Sequence, residues 1–229
     1  MTSRPLHILV TTIVHHPHDA RIHHRQIKAM LQAGWKVTYA APFRAYDTKV
    51  WPKVDAVDLP RASGRHRLRA IRAARRVVRA YGEKVDLVLL HDPELLLSVR
   101  GVRLDCPVVW DVHEDTGAAL VAKPWLPAVL RPLVRLGVHV AESMAERQLR
   151  LILAEAGYQR RFGQHHLVVP NATYVPDVAI PPGDDRVVYL GHLSAARGVD
   201  VLVETARRLA DADVTVEGMG SADSRSRRL

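Results

Sequence analysis

From His7 to Ala41 the chain reads HILVTTIVHHPHDARIHHRQIKAMLQAGWKVTYAA. His7 to Thr12 is short, apolar and β-rich, Ile27, Met30 and Leu31 then recur at helical spacing, and Val37 to Ala41 is apolar again. Gly34 supplies the left-handed cap that turns the helix into the second strand. This is one βαβ unit, and the alternation continues outward from it. Further strands are expected at Val54 to Leu59, Asp86 to Leu90, Val108 to Val112, Leu151 to Ala154 and Leu167 to Val169, with helices between them. Such a pattern predicts an α/β protein with a parallel sheet and helices on both faces.

A helix near Arg65 to Tyr81 carries Arg65, Arg69, Arg72, Arg76 and Arg79 on one stripe and Leu68, Ile71, Ala74 and Val78 on another. Long helical segments follow near Leu126 to Arg147. The proline-rich stretch Pro176 to Asp185 reads as a linker, dividing the chain into residues 1–175, the linker 176–185, and residues 186–229. Past it the pattern restarts, with strands at Val187 to Leu190 and Val214 to Glu217 around a helix whose Val199, Leu202, Val203, Ala206, Leu209 and Ala210 share one face. Two strands seldom form a stable unit alone, so the second domain is expected to be truncated.

The 229 residues are 48% apolar, enough for a buried core, and no apolar stretch approaches the ~20 residues that span a bilayer. Met1 to Leu6 lacks the charged and apolar regions of a signal peptide, so a cytoplasmic location is expected. Cys106 is the single cysteine, which excludes an internal disulfide and any zinc cluster of several thiolates. A net charge of +9 favours an anionic partner without choosing among nucleic acid, lipid head groups and phosphorylated small molecules.

Four segments stand out at strand ends or loops: His16-Pro17-His18-Asp19-Ala20-Arg21-Ile22, His91-Asp92-Pro93-Glu94-Leu95-Leu96, Asp111-Val112-His113-Glu114-Asp115, and Gly191-His192-Leu193-Ser194-Ala195-Ala196-Arg197-Gly198. Three lie just past the carboxyl end of a strand, where open α/β sheets build ligand sites. The histidines of the first loop, His15, His16 and His18, invite a metal reading, but loop histidines without a fixed scaffold are ordinarily solvated, and no metal site is expected. Asp19 and Asp92 have helix capping as their plain alternative, as do Glu114 and Asp115. Crowding of three acids and an imidazole at Asp111 to Asp115 marks the strongest constellation.

In this order the four segments resemble glycosyltransferase family 4, whose members have the GT-B fold of two Rossmann-like domains facing a cleft. The resemblance implies a retaining transfer of sugar from a nucleoside diphosphate sugar to an acceptor hydroxyl, with no cofactor and no metal. It places His113 at the reacting centre, Asp19, Arg21, His91, Glu114 and Asp115 on the acceptor side, and Gly191, His192, Arg197 and Gly198 at the donor diphosphate. His192 departs from the arginine many members carry, and the paired-glutamate motif of the second domain does not occur. The resemblance also implies an anionic membrane surface as partner for the arginine stripe, at the inner membrane face; a solvated helix is its other reading. No nucleic-acid motif is present. A non-catalytic remnant that binds acceptor, membrane or protein, and a nucleotide-sugar epimerase of the same fold, stay open as readings.

Overall fold

The structure is a computed structural model and describes residues 4–121, 126–172, 175, 177, 178, 181, 186–191, 193–209 and 215–219. It forms two compact units, Met1–Ala172 and Thr173–Leu229.

The first unit is built on seven strands, β1 (His7–Thr11), β2 (Lys36–Ala41), β3 (Asp55–Asp58), β4 (Leu87–Leu90), β5 (Val108–Val112), β6 (Arg150–Leu153) and β7 (Leu167–Val168). All pair in parallel, in the order β3-β2-β1-β4-β5-β6-β7. Each strand expected in this unit is present, its ends shifted by no more than a residue, the usual fraying of such boundaries. β1 pairs on one side with β2 and on the other with β4, so the chain winds outward to β3 and returns across β1. The direction of winding reverses between β1 and β4, and in open α/β sheets the carboxyl ends at such a reversal border a crevice.

Alternate strand residues serve opposite layers, as the pleat requires. Ile8, Val10, Val37, Tyr39 and Leu89 pack with Ile22 and Ile27 of the segment after β1. Leu9, Val88, Leu90, Trp110 and Leu153 pack with the helical layer on the other face, which holds α2 (Arg67–Tyr81), the short α3 (Leu96–Val99) and, through Ala145, α5 (Arg131–Gln148). Between β1 and β2 the chain makes a π-helical stretch, Ala20–Ile27, continuous with α1 (Lys28–Gln32). Gly34 takes the expected left-handed conformation at φ 78°.

One expectation about α2 needs correcting. Its buried stripe is Ala70, Ala74 and Val78, whereas Leu68 is 62% exposed. Leu68 lies two residues, about 200° of helical turn, from Ala70, so a helix resting on its alanines turns Leu68 outward. Arg65, Arg69, Arg72, Arg76 and Arg79 are all exposed, as the amphipathic pattern requires. Among the described residues no helix is long and apolar enough to cross a membrane.

The second unit contains the parallel pair β8 (Arg186–Leu190) and β9 (Thr215–Met219) and, between them, helix α6 (Val199–Leu209). Val199 is buried and Leu202, Val203, Ala206 and Leu209 are partly so, the face the sequence pattern gives; Ala210 lies outside the described residues. Most of the expected linker and the tail after Met219 also lie outside them.

A histidine and carboxylate network at the strand ends

Asp92 follows β4 and is fully buried. It occupies the N-cap position of the following turn, but its side chain makes no cap hydrogen bond there. Its carboxylate instead crosses to the loop after β1, accepting from the Thr12 hydroxyl at 3.0 Å, from the Ile13 N–H, and from the Val14 N–H at 3.2 Å. Backbone donors converging on an ionised carboxylate make charge-assisted hydrogen bonds that hold the loop's path. Thr12 Oγ1 in turn accepts from the His15 N–H at 3.1 Å.

Asp111, on β5, is the second buried carboxylate. Arg21 grips it with both arms of its guanidinium, Nε to Oδ2 and Nη2 to Oδ1, each at 2.7 Å. Gln26 Nε2 donates to Oδ2 at 2.8 Å, and Arg21 Nη1 donates to the Val169 carbonyl at 3.0 Å. Asp19 sets this up as the helix N-cap, accepting from the N–H groups of Arg21 and Ile22. Burial alone would raise the Asp111 carboxyl, but the His91 imidazole and the Arg21 guanidinium beside it hold it well below the usual carboxylate range. With Arg21 only 4% exposed and its donors directed inward, its part in the site is to hold Asp111.

His91 is buried against Asp111, Nδ1 to Oδ2 at 3.3 Å, an ion-pair distance without hydrogen-bond alignment. Among the described residues neither of its ring nitrogens has an aligned partner. His113 sits at the end of the array. Its Nδ1 lies 3.1 Å from the Asp111 carbonyl, which can only accept, so Nδ1 carries the proton and Nε2 presents a lone pair. Facing that lone pair at 3.0 Å is His15 Nε2, itself 3.2 Å from Asp92 Oδ1. The consistent proton arrangement has the His15 N–H shared between Asp92 and His113. Burial, and after it the neighbouring His91 and His15, push the His113 imidazole below its ordinary pKa despite the opposing pull of Asp111.

Glu114 and Asp115 are exposed, so of the three acids of this segment only Asp111 is buried beside His113, and the three do not share one environment. Asp115 accepts from the Ala118 N–H at 2.9 Å and caps α4 (Thr116–Val121). The Glu114 carbonyl accepts from Arg161 Nη1 at 2.9 Å, which pins the backbone beside His113.

In the second unit Gly191 follows β8, and Arg197 ends a single 3-10 turn, Ala195–Arg197, with its side chain exposed. Gly198 closes the turn at φ 76°, a left-handed conformation that lets the chain enter α6. His192 lies outside the described residues.

The sequence reads His15 as a solvated loop histidine and gives no signal for Gln26. The available signal was topological: once β1, β4 and β5 are set side by side, His15, Asp92 and Asp111 all lie at neighbouring strand ends.

No protein-family model matches the chain, and no curated protein is detectably similar. Solved structures do match. Sucrose-phosphate synthase from Thermosynechococcus elongatus superposes with a TM-score of 0.64 at 17% identity, over 98% of this chain and 66% of that one. The glycotransferase of kitacinnamycin gives 0.53 at 15% identity, over 95% and 66%. An alpha-glucosyltransferase in complex with UDP-glucose and DNA containing an abasic site gives 0.52 at 10%, over 99% and 60%. The fold is of the GT-B glycosyltransferase type. This chain spans 66%, just under two thirds, of the length of the first two of these proteins. At such identities the likeness is one of GT-B architecture, and the chemistry has to be argued from the side chains.

Proposed function

We propose that the chain takes part in transfer of a sugar from a nucleoside diphosphate sugar to an acceptor hydroxyl, with retention of anomeric configuration, in the manner of glycosyltransferase family 4. The observation that carries this reading is the His113–His15 pair, backed by two buried carboxylates, at the carboxyl ends of β1, β4 and β5 in a GT-B-type sheet. With the His15 N–H turned to Asp92, His113 Nε2 is the acceptor offered to a hydroxyl of the sugar. Arg21, His91 and Asp19 keep it in place from behind, and the exposed Glu114 and Asp115 are acceptors for the incoming substrate. On the donor side the reading assigns Arg197, whose planar fork suits phosphate oxygens, together with Gly191, His192 and Gly198. Neutralising the leaving diphosphate is then the main catalytic help, and the reading calls on no cofactor or metal for it. The exposed arginines of α2 are assigned to an anionic membrane face.

A second reading is favoured by the 3.2 Å contact between His15 and Asp92. With Asp92 holding the His15 proton on Nε2, the Nδ1 lone pair is left to take a proton from an acceptor hydroxyl, and direct attack assisted in this way inverts the anomeric centre.

Ligand-observed NMR of the purified chain with millimolar UDP-, GDP- and ADP-glucose tests the donor assignment. At least one is expected to bind, with the signal lost in Arg197→Ala. No contact with any of the three, under conditions where the protein is folded, would falsify the sugar-nucleotide reading. Where product forms, its anomeric configuration chooses between the two mechanisms.

A further inference from the structure

Ligand-bearing atoms of His15, His113 and Glu114 all lie within 4.8 Å of one another. The two imidazoles present the same nitrogen, Nε2, to each other at 3.0 Å, their ring centroids 4.7 Å apart. Around a tetrahedral zinc ion with bonds of ~2.0–2.1 Å, two ligand nitrogens stand about 3.3 Å apart, so the rings need open by only a few tenths of an ångström.

From this geometry we infer a binding site for a divalent transition-metal ion, Zn2+ by ligand type, formed by Nε2 of His15, Nε2 of His113 and the Glu114 carboxylate.

Three further features support it. The Asp111 carbonyl holds the proton of His113 on Nδ1 and aims Nε2 at the site, the orienting device that metal-ligating histidines use. Asp92 Oδ1 lies 3.2 Å from the same His15 Nε2 and adds negative charge on the side the ion would occupy; binding moves the His15 proton to Nδ1 and frees Nε2 to ligate. Both rings are also largely withdrawn from solvent, His15 at 16% and His113 at 11% exposure, while the exposed Glu114 leaves the ion an entry path. Two imidazoles and one carboxylate suit zinc; magnesium and calcium prefer oxygen alone. The neighbouring set His91, Asp111 and His113 is equally close, but Asp111 is already gripped by Arg21, and a cation there would sit beside a guanidinium.

This site does not depend on the sugar-transfer reading. It does use the same His113 nitrogen, so a bound ion excludes a sugar hydroxyl from it.

Calorimetric titration of chelator-treated protein with Zn2+ provides the test, with Co2+ absorption as a readout of coordination geometry. The expected result is one ion per chain, at least tenfold weaker in His15→Gln and in the surface variant Glu114→Gln, with a tetrahedral-type cobalt spectrum that both variants lose. Circular dichroism establishes that Glu114→Gln is folded. No stoichiometric binding overturns the inference. So does binding that survives both substitutions, which would assign the ion to other histidines.

Discussion

Replacing Arg21 by methionine keeps the length and apolar stem of the side chain and removes its charge. Asp111, fully buried, would lose both arms of the guanidinium and keep only the Gln26 amide and the nearby His91. The Val169 carbonyl would lose its donor as well. Removing one partner of a buried ion pair costs about 3–5 kcal/mol, because the remaining charge is stranded in a medium that solvates it poorly. For a domain of this size that corresponds to a fall in Tm on the order of 10 °C. Urea denaturation at pH 7, followed by far-UV circular dichroism, measures the loss. Asp111→Asn in the same background should recover a large part of it, since no charge is then left unpaired. The pH dependence gives a further check of sign. The native state holds the Asp111 carboxyl below its unfolded value, so its contribution is complete above the ordinary carboxylate pKa and is lost as the pH falls toward the depressed one. In Arg21→Met that part of the acid sensitivity should shrink. A single-variant loss below about 1 kcal/mol, the range of an exposed pair, would refute the claim that this bridge holds β5 to the segment after β1.

Asp92→Asn should loosen the loop after β1, because an amide presents fewer acceptor sites to the Thr12 hydroxyl and the Ile13 and Val14 N–H groups. The expected cost is about 2 kcal/mol, and hydrogen exchange at those two amides should speed up; unchanged protection would show that the carboxylate does not anchor the loop. His23 is fully buried with its ring centroid 3.8 Å from that of Trp51, and burial, then His18 and His24, push its pKa down to about 4. The unfolded chain takes up this proton near pH 6.5, so stability should fall as the pH drops from there toward 4, by on the order of 2 kcal/mol after allowance for solvent. His23→Phe should flatten that slope between pH 7 and 5, and an unaltered slope would place the acid sensitivity elsewhere.

What could be read from the sequence, and what could not, divides along local and non-local lines. Each strand of the first sheet is a short apolar run bounded by turn residues, and Gly34 marks the end of the first helix; these are near-neighbour signals. Arg21 and Asp111 are 90 positions apart, and His15 and His113 are 98 apart. No period or composition links such pairs, and taken singly Asp92 reads as a cap and His15 as a solvated loop residue. Asp92, from the end of another strand, supplies the scaffold that the loop sequence by itself does not reveal.

The two buried carboxylates explain why the chemistry gathers where it does. Asp92, after β4, ties down Thr12, Ile13 and Val14, while Asp111, on β5, ties down Arg21 and Gln26. The segment from Thr12 to Gln26 is thus fastened near both ends by acids from two neighbouring strands, and His15 lies between the fastenings. Its meeting with His113 follows from those anchors, since the contact between two imidazoles is too weak by itself to order a loop of this length against its conformational entropy. Disturbing either anchor should therefore shift His15 relative to His113, whereas substituting the exposed Glu114 should leave the pair where it stands. Structures or ring-proton couplings of Asp92→Asn and Glu114→Gln compared side by side would test this ordering: an undisturbed pair in the former and a displaced pair in the latter would reverse it.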